Sequence, residues 1–284
     1  MSPNEGVRRS AALQELRTSI TEGIRVLLAD KVGIVSGAGP GIGRATALAF
    51  AREGADLALA ARRRESLDDL AAEVKSLGRR AIAVPTDITD PEQCRHLAQA
   101  TFEAFGRIDV LVNNAYTALP YVSFADSDLQ DWRNAMEVNL WGSLNMTQAV
   151  LPYMRDLGEG RVIMTSSAMR HALEGYGPYS TSKGALRTAS RLLAKELGKY
   201  GIRVNTVTPG VTADNPNSGR YFAELAKQEG VEPEVVWNRI ADANALKYVP
   251  TSSEIAQAVL FFASDMGSAA TGQFMLVNGG QSFE

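Results

Sequence analysis

Val32-Gly33-Ile34-Val35-Ser36-Gly37-Ala38-Gly39-Pro40-Gly41-Ile42-Gly43-Arg44 is the stretch whose reading decides the fold. Val32 to Val35 is an apolar run of strand length. A glycine cluster follows, and from Arg44 to Glu53 the chain reads as a helix. A strand that enters a glycine-rich turn and then a helix gathers free backbone N–H groups at the positive end of a helix dipole. A pyrophosphate binds favourably at such a place. Glycine is needed there because the backbone must turn tightly and let a ligand approach with no Cβ in the way. The spacing is Gly-x-x-x-Gly-x-Gly at 37, 41 and 43, not the literal Gly-x-Gly-x-x-Gly fingerprint. Taken alone, the same turn also suits an ordinary strand-to-helix connection.

Outward from this stretch the rhythm repeats. Leu57–Ala60, Ala81–Val84, Asp109–Val112, Val162–Met164, Arg203–Val207 and Phe274–Val277 are further strand candidates. Helical stretches separate them, at about Leu67–Leu77, Pro91–Phe105, Trp132–Met154, Pro178–Tyr200 and Ser253–Ala263. Alternating strands and helices require right-handed crossovers and give a parallel sheet covered on both faces. Strands buried on both faces read as unbroken apolar runs, as these do. The expectation is a single α/β domain of Rossmann type, a doubly wound parallel sheet of about seven strands. Residues 1–28 read as an N-terminal extension, with a helix expected over Leu13 to Leu28. Residues 29–284 then form the dinucleotide-binding domain. Within it, residues 212–250 interrupt the last crossover with Pro216, Gly219 and Pro233. An insertion beyond the carboxyl end of a sheet strand is where a substrate lid would sit.

Composition narrows the function. Of 284 residues 45% are hydrophobic and 21% charged, with a net charge of -3 and no basic block, which gives no case for a nucleic-acid partner. The single cysteine, Cys94, and two distant histidines, His96 and His171, offer neither a disulfide framework nor a metal-ligand spacing, so no metal is expected. No apolar run reaches the roughly 18 residues of a membrane span. The first thirty residues carry four arginines and no continuous apolar segment, unlike a secretory signal. A soluble, cytoplasmic protein with no membrane partner is expected.

Four motifs in order now resemble one family. Ser36-Gly37-x-x-x-Gly41-Ile42-Gly43 looks like the cofactor motif of short-chain dehydrogenases/reductases. Asn113-Asn114-Ala115 resembles that family's Asn-Asn-Ala-Gly, Tyr179-x-x-x-Lys183 its catalytic pair, and Pro209-Gly210 its nicotinamide-side turn. The resemblance runs from about Asp30 to Gly280. It implies an NAD(P)-dependent oxidoreductase that moves a hydride between nicotinamide and a secondary alcohol or ketone. It also implies a homotetramer, with the long helices around Asn139 and Tyr179 packed on a partner.

The catalytic residues follow from chemistry and resemblance together. Tyr179 and Lys183 lie one helical turn apart on one face. A phenol titrating near 10 is a poor base at neutral pH, and a nearby ammonium lowers it. By resemblance Tyr179 exchanges the proton with the substrate oxygen, and Lys183 also binds the nicotinamide ribose. The substrate-orienting serine is Ser167 when counted from Gly160-Arg161, and Ser166 when counted back from Tyr179. Ser167 is preferred, because burial constrains strand register while the loop 168–178 can lose a residue. Asn139, in Val138-Asn139-Leu140-Trp141-Gly142, matches the family's asparagine whose backbone carbonyl holds a water in the proton relay.

The second strand candidate runs on to Leu59-Ala60-Ala61-Arg62-Arg63-Arg64. NAD-preferring sites carry an acid there for the ribose hydroxyl. Arg62 instead suits a 2′-phosphate, which favours NADP while leaving NAD open. Its other reading is a solvated basic cluster pairing with Glu65. Asp87-Ile88 resembles the family's adenine-side segment, and Asn114, Ala115, Pro209, Gly210 and Thr212 complete the expected cofactor set. Two departures stand out. Tyr116 replaces the glycine that usually closes Asn-Asn-Ala-Gly, and Thr212 and Asp214 stand where Ile and Thr are usual. Met169, Leu173, Tyr176, Tyr221, Phe222 and Trp237 suggest an apolar pocket and a hydrophobic or cyclic ketone, although core packing explains them equally. The rival to the enzyme is a non-catalytic dinucleotide sensor on the same fold, which would not need an intact Ser/Tyr/Lys set.

Overall fold

Each apolar run forms a strand: β1 (Val32–Ser36), β2 (Asp56–Ala61), β3 (Ala81–Pro85), β4 (Val110–Asn113), β5 (Gly160–Thr165), β6 (Ile202–Pro209) and β7 (Phe274–Val277). The computed structural model describes residues 26–117, 122–168 and 175–283. Its seven strands form one sheet in the order β3-β2-β1-β4-β5-β6-β7, with every neighbouring pair parallel. The order reverses between β1 and β4, where Ser36 stands beside Asn113. A ligand crevice is expected outside the carboxyl ends of the strands at such a reversal.

The helices are α1 (Ile42–Arg52), α2 (Arg64–Ser76), α3 (Pro91–Phe105), α4 (Leu129–Met136), α5 (Gly142–Leu157), α6 (Gly177–Leu197), α7 (Pro216–Glu229), α8 (Pro233–Ala243) and α9 (Ser252–Ala263). Local chemistry sets several of their ends. Asp90 accepts from the N–H groups of Glu92 and Gln93 at the start of α3. Thr251 and Glu254 cap α9 reciprocally. One face of the sheet packs on α1, α2 and α9 through Phe50, Leu67, Ile255 and Phe262. The other packs on α3, α5 and α6 through Leu97, Met146, Met154 and Leu186.

Three stretches differ in detail from the sequence expectation. The helix read from Trp132 onward is not continuous: α4 and α5 are joined by a π turn over Glu137–Trp141. A π turn inserts one residue without breaking the apolar pattern, so periodicity does not reveal it. Most of the helix read over Leu13 to Leu28 lies outside the described residues, and Leu27 and Leu28 lie in a turn. Between β6 and α9 the chain forms α7 and α8, which share a small core of Val211, Phe222, Ala226, Val236 and Val249.

Candidate active site

The turn after β1 is held by close approach. A Cβ on Gly37 would lie 2.3 Å from the Ala115 nitrogen, and one on Gly43 would lie 2.0 Å from the Gly37 oxygen. No side chain at either position fits without moving backbone. Asn114 supports the same turn, donating from Nδ2 to the Gly37 oxygen at 2.9 Å. The Gly37 and Ala38 N–H groups donate to the Ala60 carbonyl at the end of β2. Gly41 precedes α1, no side chain caps that helix, and no acid sits in its first turn. No acid in the helix's own first turn offsets its positive end. Ser36, at the end of β1, has a buried hydroxyl with no hydrogen-bond partner among the described residues. These features fit the pyrophosphate of a dinucleotide.

The residues expected on the adenine side are Arg62, Asp87 and Ile88. Arg62 is exposed and makes none of the ion pairs among the described residues, whereas Arg64 pairs with Asp68 at 3.4 Å and Arg44 with Glu73. The Asp87 carboxylate accepts from the Thr89 hydroxyl at 2.8 Å and the Thr89 N–H at 3.0 Å. Ile88 is buried and turned toward α5, where a Cβ on Gly142 would lie 2.4 Å from its Cδ1.

The catalytic candidates meet beyond the ends of β4, β5 and β6. A cleft of about 840 Å³, partly open to solvent, is lined by Ile42, Asn114, Tyr116, Ser166, Ser167, Tyr179, Lys183, Pro209, Gly210 and Thr212, among others. Lys183 is 2% exposed, and its Nζ donates to the Thr165 carbonyl at 2.8 Å. Burial pulls its ammonium down to about 7. The same Nζ lies 5.9 Å from the centre of the Tyr179 ring. The Ser166 hydroxyl donates to the Lys183 backbone carbonyl at 3.3 Å, so it is turned against α6. Ser167, the next residue, is also buried and lines the cleft. Thr212 is buried, its N–H donating to the Ser218 hydroxyl and its own hydroxyl to the Gly210 carbonyl, both at 3.4 Å.

Asn139 lies behind the cleft, fully buried in the π turn. Its Oδ1 accepts from the Thr117 N–H at 2.9 Å, and its Nδ2 donates to the Ser182 hydroxyl at 2.9 Å. Ser182 in turn donates to the Tyr179 carbonyl. The side chain thus ties the loop after β4 to the second turn of α6. The Asn139 carbonyl accepts from the Ser143 hydroxyl at 3.1 Å.

Several residues at the cleft escaped the sequence reading. Asn215 and Ser218 line it from α7 and the segment before it. A Cβ on Gly41 would lie 3.4 Å from the Asn215 side chain, so this segment reaches the glycine turn. Of the expected pocket residues, Tyr176 and Tyr221 line the cleft with ring centres 6.4 Å apart. Phe222 is buried in the small core and stacks edge-on with Trp237. Met169 and Leu173 lie outside the described residues.

Comparison with known proteins agrees with this geometry. A family model described as enoyl-(acyl carrier protein) reductase matches residues 37–282. The short-chain reductase protein NovJ of Streptomyces niveus is 34% identical over 252 residues, covering 89% of this chain and 94% of that one. L-sorbose reductase from Gluconobacter frateurii, solved with NADPH and L-sorbose, superposes with a TM-score of 0.86 at 28% identity, over 92% of this chain and all of that one. An NAD+-bound xylitol dehydrogenase superposes with a TM-score of 0.84 at 30% identity, over 89% of this chain and 99% of that one. The chain belongs to the short-chain dehydrogenase/reductase family. It is an NAD(P)-dependent oxidoreductase acting on alcohol and carbonyl groups. Among the described residues no helix is long and apolar enough to cross a membrane, and no His, Cys, Asp or Glu cluster could hold a metal ion.

Proposed function

We propose that this enzyme interconverts a ring-bearing or otherwise hydrophobic secondary alcohol and its ketone, with NADP(H) as preferred cofactor. One observation carries the assignment of chemistry: Lys183 is buried one turn from Tyr179, in a cleft that Ser167 also lines. When bound, the nicotinamide supplies or accepts the hydride. The Tyr179 hydroxyl gives its proton to the substrate oxygen in reduction and takes it back in oxidation. The Lys183 ammonium favours the phenolate and hydrogen-bonds the nicotinamide ribose. Ser167 orients the substrate oxygen, because the Ser166 hydroxyl is committed to the Lys183 carbonyl. Asn139 completes the proton relay through its carbonyl. Ser36, Gly37, Gly41, Ile42 and Gly43 hold the pyrophosphate, Asp87 and Ile88 the adenine side, and Asn114, Ala115, Pro209, Gly210 and Thr212 the nicotinamide half.

Substrate class is argued from the cleft, since relatives reduce or oxidise polar sugars as well. Its described walls carry Tyr116, Tyr176, Tyr221 and Val211, and Lys183 is their only formally charged side chain. Such walls favour an uncharged substrate with an apolar ring. Residues 212–250, with α7 and α8, act as the lid over it. Arg62, exposed and free of ion pairs among the described residues, receives the 2′-phosphate. The exposed Trp141 and Leu192, near Asn139 and on α6, support a homotetramer built on those helices. The composition suits a cytoplasmic enzyme. Ketones and alcohols, cyclic and open-chain, screened with NADPH and NADP+ by nicotinamide absorbance test the reading. Turnover confined to charged or highly hydroxylated substrates would contradict it.

A further inference from the structure

Tyr116 stands where the family's Asn-Asn-Ala-Gly motif usually has glycine, so its ring is an addition of this chain. It emerges just beyond β4, is half-buried, and lines the cleft. Its ring centre lies 5.8 Å from the Lys183 Nζ and 6.3 Å from the centre of the Tyr179 ring, which it meets edge-on at 66°. The Lys183 Nζ therefore lies to one side of two adjoining tyrosine rings, at 5.8 and 5.9 Å from their centres. An aromatic ring within about 6 Å attracts an ammonium through its negative face, most strongly where water is excluded.

We propose that Tyr116 is a positioning residue that holds the Lys183 ammonium against Tyr179 and so keeps the Tyr179 phenol easy to ionise. The inference rests on the reading of Tyr179 and Lys183 as the acid–base pair. Its logic is one of opposed effects. Burial alone favours loss of the Lys183 proton, bringing the group down to about 7. A lysine that has lost its proton no longer favours the phenolate. Among the described residues, the groups recorded against Lys183 are few. They are the Thr165 carbonyl and Ser166 at the end of β5, Tyr116 after β4, and Tyr179 on its own helix. Asn139 reaches α6 one residue earlier, at Ser182. Arg187, the next turn along, stacks on Phe274 of β7 at 4.2 Å. No carboxylate lines the cleft among the described residues. With no carboxylate among the described residues of the cleft to hold the ammonium, the second ring fills that role.

The test reads tyrosinate absorbance against pH, with the oxidised dinucleotide bound. Each background at position 116 is titrated with and without Tyr179→Phe, and the difference isolates Tyr179. Tyr116→Leu, and Tyr116→Met as a second variant, should raise the apparent Tyr179 midpoint by about half a pH unit to one unit. Tyr116→Phe, which keeps the ring, should leave the midpoint in place. With Lys183→Met already present, Tyr116→Leu should move it no further, because the ammonium through which the ring acts is gone. Three results overturn the proposal: no shift in either aliphatic variant, an equal shift in the Lys183→Met background, or a Phe variant that behaves like Leu. Full turnover by Tyr179→Phe would overturn the reading of the pair itself, and that failure is separate from an unmoved midpoint with Tyr179 still required.

Discussion

Lys183→Met should make the protein more stable at neutral pH while stopping its chemistry. Burial draws this lysine from its ordinary 10.5 to about 7. At about 1.4 kcal/mol per unit, that displacement costs the folded state about 4–5 kcal/mol wherever the unfolded chain would be fully protonated. The hydrogen bond to the Thr165 carbonyl at 2.8 Å offsets part of the cost, about 1.5–3 kcal/mol for a charged donor. Methionine has similar length, fills irregular apolar space, and carries no charge to desolvate. The net gain expected is about 1–3 kcal/mol, or roughly 2–5 °C in Tm for a chain of this size. The sign with pH is fixed. The folded-state value lies below the unfolded one, so between about 7 and 10.5 the unfolded chain holds a proton that the folded protein lacks. Stability of the wild type therefore rises with pH across that window. The advantage of methionine should shrink over the same window and reverse at its upper end, where the neutral lysine keeps its hydrogen bond to the Thr165 carbonyl. Thermal unfolding of both proteins by circular dichroism, at neutral pH and near the upper end, measures it. A methionine variant less stable at neutral pH, or a gain that does not change with pH, would refute the burial argument.

Three further outcomes are expected. Ser167→Ala should lower kcat by about 10²-fold or more, whereas Ser166→Ala should lose only a buried hydrogen bond and keep most turnover; the reverse order in steady-state kinetics would reassign the serine. Arg62→Ala should weaken NADP(H) binding by about tenfold or more, the worth of a charge-assisted hydrogen bond, and leave NAD(H) binding nearly unchanged, as read by fluorescence titration. Equal affinity of the wild type for both cofactors would remove the case for NADP. Light scattering at working concentration should give a tetramer, and a clean monomer would refute that assembly.

Local chain chemistry was readable in advance, and tertiary approach was not. The glycine turn, all seven strands and the Tyr179–Lys183 pair lie within single contiguous segments, where spacing carries the physics. Ser166 and Ser167 are adjacent in the chain, and two ways of counting disagreed. Only the packing of β5 on α6 brings the Ser166 hydroxyl to the Lys183 carbonyl. The π turn was hidden because a single inserted residue sits inside one long helical stretch and has no residue signature of its own. The sequence reading of Asn139 concerned its backbone carbonyl; that its side chain ties the loop after β4 to α6 depends on Thr117 and Ser182, which no local pattern brings together. Asn215 and Ser218 carried no signal, since their place at the cleft follows from how the segment after β6 turns back toward Gly41. Tyr116 was visible as a departure from the motif, but the sequence could not say that its ring faces Lys183.

The central claim is that the Tyr179 hydroxyl moves the proton. Tyr179→Phe removes that proton and keeps the ring, its packing and its edge-on contact with Tyr116. On the best alcohol from the screen, kcat should fall by about 10²–10⁴-fold, with cofactor affinity and the circular dichroism spectrum little changed. A folded Tyr179→Phe protein that binds cofactor and turns over at the wild-type rate would contradict the account.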